Sequence, residues 1–252
     1  MRRFSACLEM LFVEEPDFAK RVALAKAAGF TAVEFWRWTN KDLLALKAAL
    51  DAADMPVAAL VAEPMIALTD PANHAAFLDG LEDTIATAQL LGAPVLIAQT
   101  GNDLGNSRDD QRAALIAGLK AAANLLAGTG VLLGIEPLNT LVDHKGYFLS
   151  DTLEGFAIID QVDRPEIGMV YDIYHSAVMG EPADVIKGRA HQIYHVHLAD
   201  HPGRNEPGSG QVDLDARMQV LEAEGYAGAF GCEFRPTTDS QSASAAVFQK
   251  LA

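Results

Sequence analysis

Short apolar runs alternate along this chain with longer amphipathic stretches, and the alternation repeats eight times. The runs are Phe4–Met10, Ala32–Trp36, Val57–Glu63, Pro94–Thr100, Val131–Pro137, Ile167–His175, Ile193–Asp200 and Ala227–Pro236. Each has the length and character of a strand buried on both faces. Between them, apolar spacing predicts helices over Pro16–Ala28, Lys41–Ala53, Pro71–Leu91, Ser107–Ala127, Thr152–Val162, Asp184–His191 and Asp213–Glu224, with a last one inside Ser240–Ala252. Gly29, Gly92 and Gly225 each follow a predicted helix, because glycine takes the left-handed conformation that ends a helix without steric cost. Ser107 is placed to cap the fourth helix ahead of Asp109 and Asp110, whose charges suit a helix N-terminus.

Strands that alternate one for one with helices predict a parallel sheet joined by right-handed crossovers. Eight such pairs in 252 residues fit a closed α/β architecture, the (β/α)8 TIM barrel, which occupies about 250 residues as one unit. A doubly wound open sheet would carry a glycine-rich phosphate turn after its first strand, and Met10-Leu11-Phe12-Val13 holds no glycine. No linker or low-complexity segment interrupts the chain, so one barrel domain over 1–252 is expected.

Charge narrows the partners. Nineteen Lys and Arg face 34 Asp and Glu, a formal net charge of −15. A field of that sign repels phosphate backbones and anionic headgroups, so neither nucleic acid nor a membrane surface is expected as a partner. No apolar run approaches the roughly 18 residues of a membrane span. Glu9, Glu14 and Glu15 break the opening MRRFSACLEMLFVEEP where a signal peptide would stay apolar. Two cysteines cannot build a disulfide framework, and the expected setting is the reducing cytoplasm.

A barrel does its chemistry where strands run into the following loops. Those ends carry Glu136 in GIEPLN, Asp172 in VYDIYH, His197 in HVHLAD and Glu233 in GCEFRP, one each on strands five to eight. An isolated carboxylate inside an apolar run is costly to keep ionised, so three of them with an imidazole call for a compensating cation. The apolar bodies of these strands hold no lysine or arginine, Arg235 being the nearest. A divalent metal is therefore expected, Mg or Mn first, with Co and Zn compatible with the imidazole. His195 lies on the same strand face as His197, one layer deeper, and reads as a hydrogen-bonded core residue. Glu34 and Glu63 end strands two and three, where each either supports the site, meets substrate or plays a structural part. Trp36 and Trp38 wall the mouth or pack near it, and Cys7 and Cys232 read as buried thiols on neighbouring strands.

Five blocks now carry a resemblance. Glu136-Pro137-Leu138-Asn139, Tyr171-Asp172-Ile173-Tyr174-His175, His195-Val196-His197-Leu198-Ala199-Asp200, Pro202-Gly203-Arg204 with Glu206-Pro207-Gly208 and Gly210, and Gly231-Cys232-Glu233-Phe234-Arg235-Pro236 resemble the hydroxypyruvate isomerase family. That family belongs to the xylose isomerase-like superfamily of sugar isomerases and epimerases. Met10-Leu11-Phe12 and Ala32-Val33-Glu34-Phe35 extend the resemblance over nearly the whole chain. It implies metal ligands at Glu136, Asp172, His197 and Glu233, the four residues the strand ends select. It also implies that Glu136 and Glu233 flank the substrate as an acid–base pair, that His175 contacts a substrate oxygen, and that Arg204 binds substrate. Two positions depart. His197 stands where many hydroxypyruvate isomerases carry Gln and resembles ketose 3-epimerases instead, whereas the glutamate those epimerases carry six residues after the first ligand is Val142 here. The segment Pro64–Asn73 is also shorter than the isomerase family's.

The reaction implied moves a carbonyl along a small hydroxy-ketone, of the hydroxypyruvate and tartronate semialdehyde type. It passes through an enediolate whose charge a divalent ion can hold. Strands five and eight face each other across the mouth, which suits Glu233 to abstract a proton and Glu136 to return one. A substrate carboxylate needs a bidentate cation, the role expected of Arg204. The alternatives are a ketose 3-epimerase of the tagatose or allulose type and a non-catalytic sugar-binding barrel. A metal-dependent endonuclease does not suit the net charge, and a Schiff-base aldolase would need a strand-end lysine, whereas Lys145 and Lys187 fall in loop or helix. Homo-oligomers are the habit of the superfamily.

Overall fold

Among the described residues of the computed structural model, 2–252, eight parallel strands close into a barrel in chain order, with the eighth paired back to the first. They are β1 (Phe4–Cys7), β2 (Ala32–Phe35), β3 (Val57–Val61), β4 (Val95–Ala98), β5 (Leu132–Ile135), β6 (Ile167–Asp172), β7 (Ile193–Leu198) and β8 (Phe230–Cys232). Helices α1 (Phe18–Ala27), α2 (Leu43–Ala53), α3 (His74–Leu91), α4 (Arg108–Leu126), α5 (Thr152–Val162), α6 (Ile173–Val178), α7 (Leu214–Ala223) and α8 (Ser240–Leu251) follow the strands one for one. The (β/α)8 TIM barrel expected from the alternation is the fold observed.

Local chemistry sets the helix starts. Asp17, Asp42, Ser107, Asp151, Asp213 and Asp239 each accept a backbone N–H from the first turn of α1, α2, α4, α5, α7 and α8, satisfying donors that no helical carbonyl can reach. Gly92 ends α3 at φ +72°, the conformation its position predicts.

The sixth helix departs from expectation. The apolar run Ile167–His175 is a strand only to Asp172, and α6 begins at the next residue. The cause is Asp172 itself, whose Oδ1 accepts the N–H groups of Tyr174 at 2.7 Å and His175 at 3.1 Å and so nucleates a helical turn at the strand end. The helix expected over Asp184–His191 is instead two short 3-10 turns, Ala183–Ile186 and Ala190–Gln192, separated by Gly188 at φ +75°.

The outer faces of the strands pack against the helices in one extensive apolar layer. Inside the barrel the composition divides. Ala59, Val61, Val95, Ile97 and Val170 form a small apolar cluster on β3, β4 and β6, whereas β1, β2 and β7 contribute Ser5, Glu34, His195 and His197, all buried. Cys7 and Cys232 are buried free thiols on adjacent strands, as expected.

Candidate active site

The four strand-end residues converge. One donor atom each from Glu136, Asp172, His197 and Glu233 lies within 4.8 Å of every other, and all four residues are buried. Glu136 and Glu233 directly follow β5 and β8, while Asp172 and His197 are paired across β6 and β7. The centre of the group is His197, whose Nδ1 is 2.8 Å from Glu136 Oε1 and 3.8 Å from Glu233 Oε2. Asp172 spends Oδ1 on the helix cap described above and turns Oδ2 toward the group, where Arg204 Nη2 stands 3.9 Å away.

Arg204 comes from the loop after β7 and is buried with its backbone at φ +55°. Its Nη2 donates to Glu233 Oε2, and its guanidinium sits over the Tyr174 ring at 5.3 Å. Asp200 holds this loop, with its carboxylate accepting the N–H groups of His201, Gly208, Gly210 and Val212 at 2.8 to 3.0 Å. His175 presents a defined edge. Its Nδ1 accepts from the Asn139 backbone N–H at 3.2 Å, which leaves the ring proton on Nε2. That Nε2 is buried, lacks a hydrogen-bond partner and lies 3.5 Å from Asp172 Oδ2.

Burial opposes ionisation throughout, and neighbouring charges decide each outcome. Burial raises the Asp172 carboxyl above the ordinary range in spite of Arg204 and His197. For Glu233 burial acts the same way, but Arg204 and His197 outweigh it and hold the carboxyl below the ordinary range. Burial disfavours the His197 imidazolium, yet Glu233, Glu34 and Glu136 together push its pKa well above the usual value. Burial, reinforced by Arg204, lowers His175 to about 3, so that ring is neutral at any ordinary pH.

The donor set fits a divalent cation. Three buried carboxylates face one guanidinium and an imidazole that can ligate only once its proton leaves, so a divalent cation can take the place of that proton as their counter-charge. Carboxylate oxygens with one imidazole nitrogen are ligands that Mg, Mn, Co and Zn all accept. A second group of Glu34, His195 and His197 is close enough to ligate as well, but it is already hydrogen-bonded internally. Glu34 Oε2 accepts from Ser5 Oγ at 2.6 Å and meets His195 Nε2 at 2.8 Å.

The sequence reading of His195 as a hydrogen-bonded core residue agrees with these contacts, and Glu34 supports the site without entering it. Glu63 accepts from the backbone N–H groups of Trp38 and Thr39 and pairs with Arg37, which is a structural part. Two features escaped sequence reasoning. Trp36 donates its indole N–H to Glu233 Oε1 at 2.7 Å, where packing or walling was expected. Asn139, Asp143 and Tyr174 form a hydrogen-bonded group beneath Arg204, with Asp143 Oδ2 accepting from Asn139 Nδ2 and Tyr174 Oη at 2.7 Å each. Asn139 and Tyr174 lie inside the quoted blocks, but their pairing exists only once the loop after β5 folds against α6.

Comparison with known proteins follows the same lines. The sequence profile described as xylose isomerase-like TIM barrel matches residues 22–251. The hydroxypyruvate isomerase of Escherichia coli K12 is 34% identical over 250 residues, covering 96% of each chain. A 2-oxo-tetronate isomerase of Cupriavidus necator is 33% identical, covering 94% of each. A crystal structure described as an AP endonuclease, family 2, from Brucella melitensis superposes with a TM-score of 0.92 at 29% identity over 100% of both chains.

Proposed function

The chain belongs to the hydroxypyruvate isomerase family of xylose isomerase-like TIM barrels and is an isomerase, and we propose that it interconverts a small hydroxy-ketone acid with its aldehyde isomer, of the hydroxypyruvate and tartronate semialdehyde type. The observation that carries this reading is the meeting of Glu136, Asp172, His197 and Glu233 at one buried point with Arg204 beside them. These four would hold a divalent cation, which supplies the positive charge a developing enediolate needs.

The chain's own side chains do the rest. Glu233, kept ionised by Arg204 and His197, takes a proton from the hydroxymethyl carbon beside the carbonyl, Glu136 delivers one to the adjacent carbon, and the hydroxyl proton passes to the former carbonyl oxygen, leaving the aldehyde. His175 donates its Nε2–H to a substrate oxygen, since that donor has no other partner. Arg204 receives the substrate carboxylate, and its buried Nε is likewise an unused donor. The names of the two enzyme relatives support an acid carrying a ketone as substrate. The net charge of −15 does not support the endonuclease activity named for the Brucella structure.

The resemblance also favours a second reading, a ketose 3-epimerase, because His197 matches the pattern of that class. Chelator-treated protein reloaded with Mg(II) or Mn(II) separates the two when hydroxypyruvate, 2-oxo-tetronate and a ketose panel are followed by proton NMR. Formation of tartronate semialdehyde only after reloading supports the isomerase. Epimerised ketoses with hydroxypyruvate untouched contradict it.

A further inference from the structure

His197 faces a different carboxylate from each ring nitrogen. Its Nδ1 lies 2.8 Å from Glu136 Oε1 in the four-residue group. Its Nε2 lies 3.2 Å from Glu34 Oε1, on β2 at the opposite side of the ring. Glu34 is held firmly for that contact. Ser5 Oγ and His195 Nε2 both occupy its Oε2, which leaves Oε1 buried and without a hydrogen-bond partner, 3.2 Å from His197 Nε2. Space for the arrangement comes from β8. A Cβ on Gly231 would stand 2.6 Å from both Glu34 oxygens and 2.8 Å from His195 Nε2, so no larger residue leaves this contact intact.

We propose that Glu34 is a positioning residue. It accepts the Nε2 proton of His197, fixes the tautomer whose bare Nδ1 points into the four-residue group, and so sets how tightly that group holds a divalent cation. The inference rests on the cation reading given above. A neutral imidazole has one N–H and one lone pair, and whichever nitrogen keeps the proton cannot ligate. Without an acceptor at Nε2, the proton is free to settle on Nδ1, where Glu136 Oε1 would accept it and the lone pair would be lost to the site. A carboxylate behind a ligating histidine also raises the basicity of the ring, and losing such a partner typically weakens metal binding about 10- to 100-fold. His195 packs on this ring edge to face at 4.9 Å, and its own Nε2 is committed to Glu34.

Glu34→Gln tests the idea because it keeps the shape, removes the charge and adds an amide N–H that can donate to Nε2 in the wrong sense. Free Mn(II), followed by electron paramagnetic resonance during titration, gives the affinity without reference to turnover. The expected result is Mn(II) binding weakened about 10- to 100-fold with an unchanged circular dichroism spectrum. Binding within twofold of the wild type overturns the inference. Should Glu34→Gln fail to fold, long-range proton–nitrogen NMR of the wild type loaded with diamagnetic Zn(II) decides alone. His197 carrying its proton on Nε2 supports the role, and a proton on Nδ1 overturns it. Wild-type protein that binds no Mn(II) overturns the cation reading itself, a failure distinct from equal binding by both proteins.

Discussion

Trp36 donates its indole N–H to Glu233 Oε1 at 2.7 Å, tying the end of β2 to the carboxylate that follows β8. With Arg204 on the other oxygen, Glu233 has a donor at each end. Both donors favour its ionised form, the form a base must have. Trp36→Phe keeps an aromatic wall and removes one donor. Because Trp36 is 36% exposed, the expected loss is moderate: kcat lower by about tenfold, consistent with a charged hydrogen bond of ~1.5 kcal/mol. The carboxyl pKa should rise, so the acid limb of the pH–rate profile moves to higher pH. An unmoved limb would show that Trp36 merely packs.

Arg204→Lys retains the charge and loses the fork. A lysine is a point charge and cannot engage a carboxylate through two parallel N–H groups. For an acidic substrate KM should rise about tenfold or more, and a neutral ketose should be affected less. Steady-state kinetics on both substrate classes check this.

Asp200→Ala should act through the loop that carries Arg204. Four backbone N–H groups lose their acceptor, and each stranded donor costs about 1–3 kcal/mol if it stays buried. The expected outcome is a lower urea midpoint together with a higher KM for the acidic substrate, read by denaturation and kinetics on the same preparation.

Glu63 gives a pH dependence remote from the four-residue group. Burial opposes its ionisation, but the N–H groups of Thr39 and Trp38, the Thr39 hydroxyl and Arg37 outweigh burial and lower its pKa from 4.5. A carboxyl depressed in the folded state stabilises the fold fully above its unfolded value and loses that contribution as pH falls through the folded value. Urea midpoints should therefore drop on acidification below about pH 4.5, and Glu63→Gln should lower the midpoint at neutral pH while flattening part of that acid decline.

The barrel was legible because its signal is periodic: eight apolar runs, each with a helix behind it, leave little choice of topology. Glu136, Asp172, His197 and Glu233 were legible for a related reason. A charged residue at the end of an apolar strand is conspicuous, and closure of the barrel brings such ends together. What the sequence hid were contacts between elements far apart in the chain. Nothing local in Trp36 reveals that it reaches Glu233, nor in Glu34 that it meets both His195 and His197. The sixth helix was misplaced because Asp172 is at once strand end, helix cap and site residue, and apolar periodicity does not register a side chain that stops a strand.

The central claim is that Glu233 and Glu136 move a proton between neighbouring carbons of the substrate. The most direct measurement is proton NMR of hydroxypyruvate incubated in heavy water with Mg(II)-loaded protein, beside Glu233→Gln and Glu136→Gln. Deuterium should appear at the hydroxymethyl carbon of recovered hydroxypyruvate and at the carbon next to the aldehyde in the product. Both signals should fall at least about 100-fold in Glu233→Gln, and the product signal should fall as far in Glu136→Gln. Label at either carbon in Glu233→Gln, or product label in Glu136→Gln, at the wild-type rate would contradict the claim, as would no label in wild-type protein that binds both cation and substrate.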